Sequence, residues 1–230
     1  MNKPILVVLT GAGISAESGI PTFRDAGGLW EGHDVYEVAS PKGWAKNPAL
    51  VLDFYNQRRA NIKSVEPNAA HYALAALEKH YEVIIITQNV DDLHERAGST
   101  SIVHLHGELL KVRSSKKPEL VYEWHTDLNV GDVGEDGAQL RPHIVWFGED
   151  VPLIYKAAEL CGIADCFAII GTSMQVTPAA SLIEYVPAGV PTYYIDANPA
   201  KVSHKGLTVI AEKATVGVSR WMSEYLKIPV

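Results

Sequence analysis

The run Ile5-Leu6-Val7-Val8-Leu9-Thr10-Gly11-Ala12-Gly13-Ile14-Ser15-Ala16 decides the fold of this 230-residue chain. Unbroken apolar succession from Ile5 to Leu9 is what a strand buried on both faces needs; a half-wet strand would alternate. Glycines immediately after such a strand let the backbone approach a pyrophosphate. The helix start that follows offers unpaired N–H groups and a positive dipole end. The same residues would serve a tight strand-to-helix turn with no ligand. The helix has little room, because Gly19-Ile20-Pro21 interrupts it and Thr22-Phe23-Arg24-Asp25 follows as a loop able to close over a bound molecule.

Further apolar, β-rich runs lie at 83–87, 102–105, 144–147, 166–170 and 192–195, with helical stretches at 68–80, 153–161 and 179–186 between them. Strands alternating with helices predict an α/β fold: a Rossmann-type, mostly parallel sheet with helices on both faces. Two stretches break the rhythm. Residues 27–64 hold no clear strand but a helix with a readable start, Asn47 as N-cap and Pro48 at the first helical position. Its face is Leu50, Val51, Phe54, Tyr55 and Arg58. Residues 111–139 are polar and read as an insertion projecting from the sheet. The expected organisation is a Rossmann-type domain from 1–30, 64–110 and 140–230, with a small lobe from 31–63 and 111–139.

The chain carries 20 basic and 27 acidic side chains, a formal net charge of −7, with 47% hydrophobic residues. That composition excludes disorder and argues against a broad cationic surface for nucleic acid or an anionic membrane. No apolar run approaches the ~20 residues of a membrane span, and 5–9 falls short of the ~7–15 residues of a signal-peptide core. A soluble, cytoplasmic protein is expected. The two cysteines, Cys161 and Cys166, cannot build a disulfide framework or a four-thiolate zinc site.

Polar residues gather at predicted strand ends, where ligands bind in open α/β sheets. Thr87-Gln88-Asn89-Val90-Asp91-Asp92 can hydrogen-bond a ribose or a carboxamide, or merely cap the helix that follows. In His104-Leu105-His106-Gly107, strand alternation places both imidazoles on one face; they read either as a general base or as core histidines. His104, His106, His125 and His143 lack metal-ligand spacing. Gly171-Thr172-Ser173 and Asp196-Ala197-Asn198-Pro199 are polar turns suited to phosphate or ribose hydroxyls, or to capping.

Taken in order, the block from Gly11 to Arg24, Thr87-Gln88-Asn89-Val90-Asp91, His106-Gly107, Pro142-His143-Ile144-Val145-Trp146-Phe147-Gly148-Glu149, Gly171-Thr172-Ser173 and Pro178-Ala179-Ala180 resemble the sirtuins, NAD-dependent protein deacylases. The resemblance implies that NAD and an acyl-lysine peptide enter one cleft from opposite sides. By it, Gly11, Ala12, Gly13, Ser15, Ala16, Thr22, Phe23 and Arg24 hold the phosphates and cover the nicotinamide ribose. Gln88, Asn89 and Asp91 hold the ribose and carboxamide, and Gly171, Thr172, Ser173, Asn198 and Ala214 the adenosine half. His106 is the general base, with Asn89 and Asp91 beside it in the reaction. Val145, Phe147, Gly148 and Glu149 form the strand that pairs with the substrate backbone. The acyl oxygen attacks the ribose carbon bearing nicotinamide, His106 takes a proton through the ribose hydroxyls, and water releases lysine and acyl-ADP-ribose.

Tyr55 and Arg58, three apart on one helical face, resemble the Tyr-x-x-Arg of class III sirtuins, which remove succinyl and malonyl groups. A guanidinium can take an acyl carboxylate bidentately. Read without the family, Tyr55 is a core residue beside a surface Arg58, with Arg59 equally solvated. Many sirtuins bind a structural zinc through two cysteine pairs after the catalytic histidine. Residues 111–139 contain no cysteine, Ser114 standing near where a first ligand would fall, so no zinc is expected. Two other outcomes remain open on sequence: a mono-ADP-ribosyltransferase, and a non-catalytic NAD or ADP-ribose sensor.

Overall fold

The computed structural model describes residues 3–22, 29–30 and 33–229. Its strands are β1 (Ile5–Thr10), β2 (Leu29–Trp30), β3 (His33–Asp34), β4 (Glu82–Thr87), β5 (Ile102–His104), β6 (Gly107–Ser114), β7 (Val121–Glu123), β8 (Leu140–Ile144), β9 (Cys166–Ile170), β10 (Thr192–Ile195) and β11 (Leu207–Ile210). Its α-helices are α1 (Ala12–Ser15), α2 (Val35–Val38), α3 (Pro41–Lys46), α4 (Pro48–Ile62), α5 (Ala69–Leu77), α6 (Leu93–Arg96), α7 (Ile154–Gly162) and α8 (Ala214–Arg220).

Six strands form one wholly parallel sheet in the order β11-β10-β9-β1-β4-β5. The continuous apolar runs are buried on both faces, as their composition requires. Leu6, Val8, Val83, Ile85, Ala168 and Ile170 face α5 and α8, while Val7, Leu9, Ile84, Ile86, Phe167 and Ile169 face α7 and a 3₁₀ segment at Ala179–Tyr185. That segment, read as helical from the sequence, is 3₁₀ rather than α. The chain leaves β1 for β4 and β5 on one side and returns through β9 on the other, so the topological switch lies between β1 and β9.

A second sheet, antiparallel in the order β7-β6-β8, carries the small lobe together with α2, α3 and α4. Here the structure corrects several sequence expectations. The run at 144–147 is not a strand of the parallel sheet: β8 ends at Ile144 and the chain turns at Phe147-Gly148, where Gly148 has φ +90°. The insertion at 111–139 contains the end of β6 and all of β7, and 27–64 contains the short β2–β3 ladder. The lobe's sheet thus draws on residues on both sides of the boundaries expected at 110 and 140.

The start of α4 is as read: the Asn47 side chain accepts from the Leu50 N–H, with Pro48 at the first position. Its apolar side chains Val51, Phe54, Tyr55 and Ile62 pack with Leu109, Ile144 and Trp146. Arg59 is not solvated. It is 1% exposed, and its guanidinium donates to Leu109 O, Thr126 O and Asn56 Oδ1, tying α4 to β6 and to the loop after β7. At the lobe's far end Ser114 Oγ donates to Asp136 at 2.6 Å and accepts from the Lys116 and Lys117 N–H groups. Hydrogen bonds therefore close the tip of this sheet. Among the described residues no group of three or more His, Cys, Asp or Glu side chains is placed to hold a metal ion.

Candidate active site

The site is built where β1 and β9 end side by side. Gly11 N–H donates to Ile170 O, and Gly13 N–H to Gly171 O at 2.7 Å, so the two turns are packed backbone to backbone. A Cβ on Gly13 would lie 2.7 Å from Gly171 Cα, and one on Gly171, whose φ is +63°, 2.2 Å from Ile14 N. Side chains are excluded here by the close packing of the two turns. Gln88 Nε2 reaches across to Thr172 Oγ1 at 3.1 Å, while the Tyr194 hydroxyl donates to Thr172 O. Ala12, Ala16 and Ser173 flank this turn pair. Asn198 sits in the turn after β10, its N–H bonded to Asp196, and Ala214 opens α8. Thr22 is described; Phe23 and Arg24 lie outside the described residues.

Behind the turns runs a buried hydrogen-bond chain. Asn89 Nδ2 donates to Ser15 Oγ and to Gly11 O, and Ser15 Oγ donates to Asp91 Oδ2 at 3.0 Å. Asp91 also accepts from Leu93 N–H, capping α6. The two oxygens of this carboxylate thus serve the Leu93 and Ser15 donors separately. Burial lifts the Asp91 carboxyl to about 6, against the lowering pull of the Leu93 and Ser15 donors. Sequence reasoning missed the next link, His71. The Asn68 N–H donates to His71 Nδ1, so the ring proton sits on Nε2, which faces Ser15 Oγ at 3.5 Å. Burial lowers His71 to about 4. Its place three residues after the cap Asn68 was the available signal.

His104 and His106 hang from one side of the chain onto consecutive carbonyls, those of Asn89 and Gln88. A carbonyl only accepts, so each Nδ1 carries a proton. On His104 the other nitrogen meets the Glu95 carboxylate at 2.6 Å, which also only accepts. Burial pulls His104 down, yet the Glu95 hydrogen bond and charge outweigh it and leave the ring raised. Among the described residues no carboxylate meets His106, and burial lowers it despite the Gln88 bond. Of two imidazoles two residues apart, one is thereby favoured as the cation and the other as the neutral ring.

On the lobe side Tyr55 and Arg58 are both buried and share one face of α4. Arg58 lies over the Phe54 ring at 4.7 Å and lines a small cavity with Ile20, Asn61, Val90, Asp91 and Leu109. Tyr55 Oη accepts from Trp146 Nε1 at 3.0 Å. Burial holds its phenol well above the ordinary range, against the pull of Trp146, Arg58 and Arg141, so it stays neutral and a donor. Of the segment expected to pair with substrate backbone, Val145 N–H is bonded to His106 O and Phe147 N–H to Ala39 O. The Glu149 carboxylate is bound by Arg141, Arg113 and the Trp146 N–H. Val145 thus lies against His106, while the Glu149 side chain faces into protein.

A family model described as the Sir2 family matches residues 11–178. A curated Helicobacter pylori protein named NAD-dependent protein deacylase is 68% identical over 191 residues, spanning 83% of this chain and 82% of that one. A protein of the same name from Bacteroides thetaiotaomicron is 54% identical over 221 residues, covering 93% and 94%. A solved Sir2 homolog–NAD complex superposes with a TM-score of 0.86 at 37% identity, covering 98% of this chain and 90% of that one.

Proposed function

The chain belongs to the Sir2 family and is an NAD-dependent protein deacylase; from that premise we propose that it favours acidic acyl groups, succinyl and malonyl above acetyl. The observation that carries the reading is a buried guanidinium, Arg58, lining a cavity with Asp91 and standing one helical turn from the buried phenol of Tyr55. A guanidinium binds a carboxylate bidentately, and a dicarboxylic acyl tail supplies such an anion. An acetyl group offers none.

In this reading NAD is consumed as co-substrate. The bare backbone at Gly11, Gly13 and Gly171, with Ala12, Ser15, Ala16, Thr22, Phe23, Arg24, Thr172, Ser173, Asn198 and Ala214 around it, holds the dinucleotide along the switch between β1 and β9. Gln88, Asn89 and Asp91 take the nicotinamide ribose and carboxamide. His106, neutral with its Nε2 unprotonated, removes the proton from a ribose hydroxyl as that oxygen attacks the acyl carbon. Val145, Phe147 and Gly148 flank the peptide, and the acyl group leaves on ADP-ribose.

Substituting Arg58→Met tests the acyl preference. Desuccinylation, followed as peptide mass change, falls at least ten-fold more than deacetylation, since hydrogen bonds to charged groups are worth about 1.5–3 kcal/mol. Equal losses on both substrates would make Arg58 structural and remove the acidic-acyl reading.

A further inference from the structure

We infer that Tyr194 is a positioning residue for NAD: its buried hydroxyl joins the turns after β9 and β10 and fixes the peptide plane that carries the Ser173 N–H. This rests on the reading in which Gly171, Thr172, Ser173 and Asn198 hold the adenosine half, and it extends that reading to a side chain behind them.

The partners settle the direction of each hydrogen bond. A carbonyl only accepts, so the 2.8 Å contact with Thr172 O takes the single Tyr194 hydroxyl proton. A backbone N–H only donates, so the same oxygen accepts from Ala200 at 3.0 Å. Tyr194 is 0% exposed and belongs to the apolar cluster of Phe167, Ile169, Ala179 and Leu182, so solvent cannot stand in for either bond. Peptide planarity carries the effect one residue further. The 172–173 peptide is trans, and its N–H therefore points opposite to its carbonyl. Holding Thr172 O toward Tyr194 sets the direction of the Ser173 N–H, a backbone donor in the turn.

Tyr194 stands beside Ile169 in the parallel register, one residue before β10 ends, and its long side chain reaches the neighbouring turn beyond Ile170. Thr172 is held from its other side as well. Its Oγ1 accepts from Gln88 Nε2 at 3.1 Å and from the Met174 N–H at 3.3 Å. The turn is thus pinned from the end of β4 through Gln88 and from β10 through Tyr194. On the second arm, Ala200 follows the turn in which the Asn198 N–H is bonded to Asp196 Oδ1 at 2.7 Å. One phenol oxygen therefore sets the spacing of two turns, both at the carboxyl ends of their strands, where an open parallel sheet binds its ligand. A phenylalanine would fill the same apolar space; the hydroxyl is what the turns use. Fully buried, Tyr194 acts on a ligand only through those turns.

Tyr194→Phe removes the hydroxyl and keeps the ring. The Kd for ADP-ribose, read by calorimetry, and the KM for NAD each rise about ten-fold, while kcat at saturating NAD and the KM for the acyl peptide stay at wild type. An unchanged ADP-ribose affinity, or a loss spread equally over kcat and the peptide KM, would make Tyr194 structural and overturn the inference. Hydrogen exchange on the wild-type enzyme tests the reading beneath it. ADP-ribose slows exchange in 171–174 and 197–201; protection confined to other segments would overturn the adenosine reading and the inference together. If Tyr194→Phe does not fold, as its thermal melt reports, 4-fluorophenylalanine at position 194 keeps the length of the side chain with no proton to donate. It must weaken ADP-ribose equally.

Discussion

His104 and His106 differ in one neighbour. Glu95 stands against His104, and among the described residues no carboxylate stands against His106, so the first ring is raised above its ordinary value and the second lowered. A base must be neutral to act, and burial moves the His106 ring below its ordinary value of 6.5. Deacylation is therefore retained as pH drops below 6.5 and is lost only as pH falls through the lowered value. A single-turnover pH profile with its acid limb at or above 6.5 would contradict this. His106→Ala abolishes turnover while the thermal melt stays near wild type; a folded, active variant would dismiss the base assignment. The histidines were readable as candidates from the His-x-His spacing alone. The spacing does not tell them apart, and the family resemblance points to His106; what separates their charge preferences is Glu95, which comes from α6 and which only the fold brings to His104.

At the scale of elements, the glycine turns after β1 and β9 were the most readable feature, since apolar runs and breakers are local signals. Their mutual packing was not readable, because Gly13 and Gly171 are 158 residues apart in sequence. Gly171→Ala adds a Cβ at 2.2 Å from a backbone nitrogen at positive φ. A loss of about 3 kcal/mol or more in chemical denaturation is expected, against less than ~1 kcal/mol for Gly189→Ala, which has positive φ but open space. Similar losses at both would mean that the packing contributes nothing beyond the dihedral strain. The short β2–β3 ladder, β7 and the 3₁₀ rather than α character of Ala179–Tyr185 escaped sequence reading for a common reason. They are short, and tertiary contacts rather than periodicity decide them. Spacing put Tyr55 and Arg58 on one face of α4, but read without the family both Arg58 and Arg59 look solvated, whereas the fold buries both and makes Arg59 a clamp to β6.

For the whole molecule, buried ionisable groups at the centre of the site make stability depend on pH. An unfolded imidazole binds a proton near 6.5, whereas His71 in the fold does so only near about 4. Between those values the unfolded chain binds more protons, so stability falls as pH falls, by up to roughly 3 kcal/mol from this ring. His94, lowered by its burial and by His71 and His104, acts in the same direction. Asp91 opposes them, because its carboxyl keeps a proton up to about 6 instead of 3.8 and acidification relieves it. Melting temperature thus drops from pH 7 toward pH 4, and more steeply in Asp91→Asn; an unchanged slope in that variant would show that Asp91 does not titrate as its burial demands.

The lobe gives a second whole-molecule expectation. Dialysis against a metal chelator leaves the melt unchanged, whereas Ser114→Ala, which removes the Asp136 staple, lowers stability by about 1–2 kcal/mol. A chelator-sensitive melt would mean that a metal holds the lobe after all.

The most direct measurement is mass spectrometry of the products formed from NAD and matched succinyl- and acetyl-lysine peptides. The account predicts free lysine, nicotinamide and succinyl-ADP-ribose in equal amounts, with the succinyl peptide consumed at the higher kcat/KM. Acetyl removal alone, ADP-ribose attached to protein, or NAD binding with no acyl group released would contradict it.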